Sequence, residues 1–250
     1  MTRNLLATNI LILALISLVG PVRADEPKSE GELIFNGKDL TGWKYVREKD
    51  KELWTVVAEV KLDPKNPKRL IGSGTPADGK GILFRDGEGD SGGQKGTDIY
   101  TEKTFKDCEV HAEFMTPADS NSGIYLMGQY EIQIWTDIGR PVGLHSTGAV
   151  YVTKPPTVIA LKPYGEWNTY DIVFKAPRFD ASGKKIKNAT VMSVILNGVK
   201  VQPEPVDTPK PTGGTLKGNA EAPAGPIMLQ GNHGPVAFRN VRVKPIELKD

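Results

Sequence analysis

The sequence predicts an all-β fold in which many short antiparallel strands form a β-sandwich or jelly roll. From Glu32 onward, no helix-length stretch has the apolar periodicity of an amphipathic helix, whereas period-two alternation recurs throughout. The 250 residues include 27 glycines and 19 prolines, a turn-rich composition that disfavours a helical bundle. Many short strands separated by turns are typical of two packed antiparallel sheets.

The strands are predicted from runs in which apolar and polar residues alternate. The clearest runs are Cys108–Met115 and Tyr130–Trp135. In the first of these, Val110, Ala112 and Phe114 share one face, which predicts a strand with one buried side. Further runs are Leu53–Leu62, Thr97–Thr101, Ser122–Met127, Ala149–Val152, Thr169–Phe174, Val191–Leu196, Pro226–Leu229 and Val236–Lys244.

Turn chemistry marks the connections between these runs. The dipeptide Asn197-Gly198 separates two apolar runs and predicts a two-residue β-hairpin. The segments Asp63–Gly96 and Val201–Gly225 are rich in Gly and Pro and are predicted to be long surface loops. Such loops often border a binding site, and insertions without a function are the alternative for each.

The first residues predict a targeting segment. A basic start at Arg3 is followed by the apolar run Leu5–Val19, which is short for a membrane span, and by small residues that end at Ala24. We therefore expect residues 1–24 to be a signal peptide cleaved after Ala24, with an uncleaved anchor as the alternative. Residues 25–31 are then a short linker and 32–250 a single domain, and the mature protein is expected to be secreted or periplasmic.

Composition excludes several classes of function. The chain has 32 basic and 30 acidic residues, and two of the basic ones, Arg3 and Arg23, lie in the predicted leader. A mature domain with 30 of each lacks the excess of basic residues that is typical of a nucleic-acid binder. No membrane span is expected after cleavage. The single cysteine, Cys108, excludes an intramolecular disulfide and a cysteine metal cluster, and is expected to be buried. An oligomeric state is not predicted.

Familiar short motifs give no function. Gly87–Gly92 fits the spacing GxGxxG, but no helix follows it, and Glu88 and Asp90 would repel a phosphate. The same stretch lacks the glycine and the bidentate glutamate of a calcium-binding loop. The histidines form no HExxH motif and no GxSxG elbow is present, so a zinc protease and a serine hydrolase are disfavoured.

Polar residues on the alternating strands predict a sugar-binding groove. Glu113, Glu131 and Gln133 occupy polar positions, and they would share one surface if their strands belong to the same sheet. Two carboxylates on such a surface can act as a general acid and a general base. An ordinary solvated sheet face is the alternative. The candidate stacking residues are Tyr125, Trp135 and Trp167.

Two histidines lie in glycine-rich loops. His145 is part of GLHSTG and His233 is part of QGNHG. A histidine at the end of a strand is well placed for acid–base chemistry or for ligand binding, and a surface histidine without a function is the alternative in each case.

Seven motifs resemble, in order, those of one known family. They are Glu32–Trp43 (ELIFNGKDLTGW), Ser120–Leu126 (SNSGIYL), Gly128–Ile134 (GQYEIQI), Thr147–Tyr151 (TGAVY), Gly165–Tyr170 (GEWNTY), Leu196–Gly198 (LNG) and Leu229–Val241 (LQGNHGPVAFRNV). The chain resembles the 3-keto-disaccharide hydrolase domain, also described as a 3-keto-glucoside 1,2-lyase and 3-keto-2-hydroxy-glucal hydratase domain, over about Glu32–Pro245.

This resemblance implies a jelly roll of the concanavalin A-like lectin and glucanase type. It also implies activity on sugars oxidised at C3, with a divalent metal, Ca²⁺ or Mg²⁺, as a cofactor for which Glu113 and Glu131 are the candidate ligands. Glu131 and Gln133 fall on the family motif YExQI, and Asn121 falls on NSG. The ending QGNHG departs from the common QDHG, so this chain lacks an aspartate there.

The sequence therefore predicts an exported enzyme that cleaves 3-keto-glycosides by elimination and hydration. Glu131 is the expected base or metal ligand, and His145 or His233 the expected acid–base group. Asn121 and Gln133 are expected to orient the sugar, and Glu113 is a further candidate. A non-catalytic, lectin-like carbohydrate-binding module and a structural domain of the cell envelope are the alternatives.

Overall fold

The computed structural model describes residues 31–48, 53–87, 97–214, 216 and 218–249. The predicted signal peptide, residues 25–30 of the linker and most of the segment Gly87–Gly92 lie outside the described residues. Within the described part of the chain there is no α-helix. Accordingly, that part has no helix with the length and apolar character of a membrane span.

The described residues form eighteen strands. They are β1 (Glu32–Leu33), β2 (Trp43–Tyr45), β3 (Trp54–Val57), β4 (Glu59–Asp63), β5 (Asn66–Ser73), β6 (Ile82–Arg85), β7 (Ile99–Phe105), β8 (Cys108–Met115), β9 (Asn121–Leu126), β10 (Tyr130–Trp135), β11 (Asn168–Lys175), β12 (Arg178–Phe179), β13 (Lys185–Lys187), β14 (Ala189–Leu196), β15 (Val199–Gln202), β16 (Val206–Thr208), β17 (Gly225–Leu229) and β18 (Val236–Pro245).

Two antiparallel sheets make up the body of the fold. The larger sheet has the order β15-β14-β11-β8-β18-β6-β3, with β1 on β18 and β16 on β14. The smaller sheet has the order β10-β9-β17-β7-β2. Most neighbours in these sheets are distant in sequence, as in a jelly roll. The predicted all-β jelly-roll sandwich is confirmed.

Aromatic and aliphatic side chains from both sheets meet in one core. The ring of Tyr130 on β10 packs 5.5 Å from that of Phe174 on β11, which joins the two sheets. The hydroxyl of Tyr170 on β11 donates a 2.7 Å hydrogen bond to the carbonyl oxygen of Gln133 on β10. Because Tyr170 is fully buried, this bond satisfies a polar group that would be costly to leave unpaired. The back of β10 is therefore fixed against the larger sheet.

The segment Asp63–Gly96, which was predicted to be a loop, contributes to a smaller apolar cluster. Its described part contains β5 and β6, and β5 pairs with β4 as a hairpin. Val60 and Leu70 of that hairpin belong to the same buried cluster as Phe84 of β6. The prediction of a loop with only a short apolar island at Gly81–Phe84 is wrong. The strand β5 was missed because it is mostly exposed and polar, so its sequence has no apolar alternation.

The best-alternating runs were predicted with the correct bounds. Cys108–Met115 and Tyr130–Trp135 are β8 and β10. Asn197 and Gly198 both have positive φ, 53° and 77°, as the predicted hairpin requires. Ala149–Val152 is not a strand, since only Val150 forms isolated bridges. Burial raises the pKa of the Cys108 thiol to about 12, so this cysteine is the inert, buried residue expected.

Candidate functional site

The outer face of the smaller sheet carries a cavity because β9 and β10 alternate. Tyr130, Ile132 and Ile134 turn into the core, so Glu131 and Gln133 lie on the opposite face. Antiparallel pairing places Glu131 opposite Tyr125 and Gln133 opposite Gly123. Four neighbouring positions on two strands thus form the floor of the cavity.

Loops from four other parts of the chain complete the walls. The cavity has a volume of about 530 Å³, which is within the usual range for a small-molecule site. Its lining consists of Asp98, Asn121, Tyr125, Glu131, Gln133, Tyr151, Thr212, Gly213, Gly214, Gly218, Gln230, Asn232 and His233. Apart from the tyrosine rings, these side chains are polar or absent, which suits a ligand rich in hydroxyl groups.

Glu131 lies on the floor with 3% of its surface exposed. Its peptide N–H donates a 2.9 Å hydrogen bond to the hydroxyl of Thr212, which belongs to the loop after β16. A Cβ atom at Gly123 would lie 2.7 Å from Oε1 of Glu131, and one at Gly213 would lie even closer to Oε2. Both glycines are therefore needed for the close approach of the backbone to this carboxylate.

Two tyrosines face Glu131. Burial, followed by the charges of Glu131 and Asp98, raises the pKa of Tyr125 well above its usual value. The Tyr125 hydroxyl also accepts a 2.7 Å hydrogen bond from Nε2 of Gln230. Burial and the charge of Glu131 raise the pKa of Tyr151 as well. Both hydroxyls consequently keep their protons at neutral pH.

Two residues that line this cavity carry buried acceptor atoms without a hydrogen-bond partner. Among the described residues, three buried side-chain oxygens accept no hydrogen bond, and two of them, Asn121 Oδ1 and Gln230 Oε1, belong to cavity residues. Leaving such an atom unpaired costs about 1–3 kcal/mol. A ligand hydroxyl that donates to either oxygen would recover this energy.

The loop after β17 supplies His233. Its Nδ1 contacts Oδ1 of Asn232. Burial lowers the pKa of His233, and the nearby charge of Asp98 only partly opposes this, so the ring is neutral at pH 7. Asp98 Oδ1 accepts a 3.0 Å hydrogen bond from the peptide N–H of Gly231, which fixes the loop.

Comparison with known sequences assigns the chain to a family. The family model of the 3-keto-alpha-glucoside-1,2-lyase-like domain matches residues 30–244. The chain belongs to this family. The match confirms the predicted resemblance and its extent. No curated protein sequence matches the chain.

Two solved structures are similar to this member of the 3-keto-alpha-glucoside-1,2-lyase-like family. Both are crystal structures of candidate glycosyl hydrolases from Parabacteroides distasonis. The first is 28% identical, with a TM-score of 0.59, and the match covers 86% of this chain and 84% of the other. The second is 21% identical, with a TM-score of 0.57 and coverages of 88% and 96%, and supports the fold alone. Family and neighbour together indicate a carbohydrate-active hydrolase or lyase.

Two of the predicted site residues lie elsewhere in this family member. Glu113 belongs to β8 in the larger sheet, whereas Glu131 belongs to β10 in the smaller one. Arg239 and Asn240 donate hydrogen bonds of 2.7 and 3.0 Å to the Glu113 carboxylate. The guanidinium carbon of the same Arg239 lies 4.0 Å from the centroid of the Trp167 ring. The expectation that these two residues share the groove of Glu131 is wrong. Glu113 lies on a strand of the other sheet, and Trp167 directly precedes β11 of that same sheet.

Two further predicted residues lie beside the cavity and do not line it. His145 is exposed, and its ring centroid is 5.1 Å from that of Tyr151. Trp135 is half-buried at the end of β10, where the guanidinium of Arg140 lies 4.9 Å from its ring. By contrast, Asn121, Tyr125, Glu131, Gln133 and His233 all line the cavity.

Sequence reasoning missed five polar lining residues. Tyr151, Gln230 and Asn232 fall within the family motifs TGAVY and LQGNHG, so the motifs could have signalled them. Thr212 lies in the second predicted loop, Val201–Gly225. That prediction is wrong in part, because Val206–Thr208 form β16, which pairs with β14. Residues 212–214 and 218 of the remainder border the site. Asp98 had no signal, because it is an isolated acidic residue at the start of β7.

The donor atoms present do not fit the divalent metal that the resemblance implies. Among the described residues, no group of three or more His, Cys, Asp and Glu side chains could hold a metal ion. Glu113 is bound by Arg239 and Asn240 on the other sheet, so it cannot join Glu131 as a ligand. The cavity therefore does not fit a carboxylate-rich metal site.

Proposed function

We propose that this protein cleaves the bond between C1 of a 3-keto-glucoside and its leaving group. The C3 ketone acidifies the proton on C2, and a base removes that proton to form an enediolate. The C1 oxygen then departs with a proton as the free alcohol and leaves a double bond between C1 and C2. Addition of water across this bond gives the 3-keto sugar, so the overall reaction consumes one water.

The buried carboxylate of Glu131 is the observation that supports this proposal most strongly. Its oxygens lie against Gly123 and Gly213, and Asn121 and Gln230, whose side-chain oxygens have no partner, line the same cavity. Sugar hydroxyls can donate to Asn121 Oδ1 and Gln230 Oε1, which orients the ring. Glu131 then serves as the base for the C2 proton and returns that proton when water adds.

Protonated hydroxyl groups supply the remaining chemistry. The raised pKa of Tyr125 keeps its proton in place, and its hydrogen bond with the Glu131 carboxylate can hold that base in position. Tyr151, which also lines the cavity, is likewise protonated and can give a proton to the departing oxygen. Neutral His233 can accept a proton from the incoming water.

The decisive experiment compares oxidised and unoxidised substrates. Purified protein is incubated with 3-keto-α-disaccharides and with their unoxidised parents, and the released sugars are measured. We expect cleavage of the keto compounds alone, since only the ketone acidifies C2. Sugar binding without product would instead indicate the lectin-like alternative. A parallel series with EDTA reports whether a divalent metal is required.

We also propose that the protein is exported through the apolar leader that ends at Ala24. Expression of the full chain in a bacterial host and N-terminal sequencing of the exported fraction test this. A mature protein that begins at Asp25 supports cleavage, and an intact Met1 in the membrane fraction supports the uncleaved anchor.

A further inference from the structure

A buried charge at the end of β6 has no part in the reaction proposed above. Arg85 is the last residue of β6, and none of its surface is exposed. A fully buried charge is rare because it is costly to remove from water unless hydrogen bonds compensate it. Arg85 is not among the residues that line the cavity, so it does not touch a bound sugar. Its role has to be inferred from the groups that it binds.

The guanidinium of Arg85 binds the loop that follows β17. Its Nε donates a 3.0 Å hydrogen bond to the carbonyl oxygen of Gly231. Its Nη1 donates a 2.9 Å hydrogen bond to the carboxylate of Asp86. Gly231 directly precedes Asn232 and His233, which both line the cavity. Arg85 therefore joins β6 to one wall of the cavity.

Further contacts hold the same glycine in place. The peptide N–H of Gly231 donates a 3.0 Å hydrogen bond to Oδ1 of Asp98. A Cβ atom at Gly231 would collide with the ring of Trp54 and would lie 2.7 Å from the carbonyl oxygen of Thr97. The indole N–H of Trp54 donates a 2.7 Å hydrogen bond to that same carbonyl oxygen. The donor, the acceptor and the α-carbon of Gly231 are thus each held by a different segment of the chain.

The two halves of the proposed reaction depend on different segments. Elimination uses Glu131 and Tyr151, and the peptide N–H of Tyr151 donates a 3.0 Å hydrogen bond to the carbonyl oxygen of Glu131. These two residues therefore belong to one unit that is built on β10. Addition of water also uses His233, whose loop is bound by Arg85. Loss of Arg85 should consequently affect the addition of water more than elimination.

We propose that Arg85 is a positioning residue, which holds the loop of His233 where this histidine accepts the proton of the incoming water. The proposal rests on the proposed function, since it concerns the second half of the same reaction. Without Arg85, the sugar with a C3 ketone and a double bond between C1 and C2 should leave the cavity before water adds. This unsaturated intermediate is lighter than the 3-keto sugar by one water.

The experiment separates the two halves of the reaction by their products. Purified protein is incubated with a 3-keto-α-disaccharide, and the released leaving sugar measures elimination. Mass spectrometry of the quenched reaction gives the ratio of the unsaturated intermediate to the 3-keto sugar, which measures the addition of water. Arg85→Gln removes the charge, whereas Arg85→Lys keeps a charge and a donor.

Arg178→Gln is the matched control. Arg178 is also a buried arginine, and its Nη2 donates a 2.7 Å hydrogen bond to the carboxylate of Asp107. It does not line the cavity. Its substitution should destabilise the fold without moving His233. Thermal denaturation confirms that each variant is folded at the temperature of the assay.

We expect Arg85→Gln to raise the ratio of unsaturated intermediate to 3-keto sugar about tenfold, because a displaced base accepts the proton of water poorly. The rate of elimination should fall less than about threefold, since the unit on β10 is unchanged. Arg85→Lys should restore most of the normal ratio, and Arg178→Gln should leave the ratio unchanged. Equal losses of elimination and of water addition in Arg85→Gln would overturn the proposal. Release of the unsaturated intermediate alone by the unsubstituted protein would do the same.

A second measurement does not depend on turnover. Burial lowers the pKa of His233, and the charge of Asp98 only partly opposes this. In Arg85→Gln, exposure of the displaced ring and loss of the nearby cation should both raise the pKa of His233 towards its ordinary value. NMR titration of the imidazoles measures this pKa, with His111 and His145 as internal references.

The two measurements distinguish the possible failures. An unchanged pKa of His233 in Arg85→Gln would overturn the positioning role, whether or not keto sugars are cleaved. If the unsubstituted protein cleaves no keto sugar, the proposed function fails, and the titration still decides whether Arg85 positions His233.

Discussion

The outer faces of the two sheets carry similar polar residues. On one face these residues are bonded to one another, and on the other they line a cavity. On the larger sheet, Glu113 is bound by Arg239 and Asn240, and His111 Nδ1 lies 2.6 Å from the Asp171 carboxylate. On the smaller sheet, polar side chains line a cavity in which two amide oxygens have no partner. The first face has paired its own polar groups, whereas the second leaves acceptors for a ligand.

Residue type and strand pattern alone therefore do not identify the face that carries the candidate site. β8 and β10 both alternate a glutamate with apolar residues, and both were predicted with exact bounds. The two strands differ in the residues that neighbouring segments bring to each glutamate. β18 brings a cation and an amide to Glu113, whereas β9 and the loop after β16 bring glycines to Glu131.

The largest expected effect comes from removing the charge on each glutamate in turn. Glu131→Gln should lower turnover of a 3-keto-disaccharide by about a thousandfold, because the base is lost while the shape of the cavity is kept. Sugar binding should persist. Glu113→Gln is the matched control on the other sheet and should change turnover less than twofold. Comparable losses in both variants would contradict the distinction between the two faces.

A smaller effect is expected from crowding the carboxylate without changing its charge. A Cβ atom at Gly213 would contact Oε2 of Glu131, so Gly213→Ala should displace the carboxylate and lower kcat by about ten- to a hundredfold. Gly143→Ala is the control, since nothing lies within 4 Å of its added carbon. Steady-state kinetics checks both. Unchanged kcat in Gly213→Ala would show that the position of Glu131 is not critical.

The smallest effect concerns stability on the paired face. Burial raises the pKa of Glu113, but hydrogen bonds from Asn240 and Arg239 outweigh it and bring the pKa below its usual value. The ionised form therefore stabilises the fold above the unfolded pKa of 4.5, and this contribution is lost as the pH falls through the lower folded value.

Glu113→Gln should accordingly lower Tm at pH 7 by about 2–4 °C, since the partly exposed pair contributes about 1 kcal/mol. The difference in Tm between the two proteins should shrink below pH 4.5, where protonation removes the same charge from Glu113. Thermal denaturation of both proteins at pH 7 and at a pH below 4.5 measures this difference in Tm. A difference that is constant with pH would mean that packing, and not charge, provides the stabilisation.

Sequence reasoning succeeded where local signals are strong. The hairpin at Asn197-Gly198 and the strands β8 and β10 follow from turn chemistry and alternation, which depend on residues close in sequence. It failed at β5, whose polar residues give no alternation, and at Ala149–Val152, whose alternation ends in the strained turn at Val152. Of the cavity residues on family motifs, Asn121, Tyr125, Glu131, Gln133 and His233 were predicted, whereas Tyr151, Gln230 and Asn232 were missed. Asp98 and Thr212 were missed because they lie outside the motifs.

The class of fold and the family follow from the sequence, because alternation and motif order are local properties of the chain. Which polar strands share a face depends on the tertiary structure. Strands that are adjacent in a jelly roll are distant in sequence, and whether β8 joins β18 or β10 depends on the packing of the whole core. That pairing left Glu113 neutralised on one sheet and placed Glu131 in the cavity of the other.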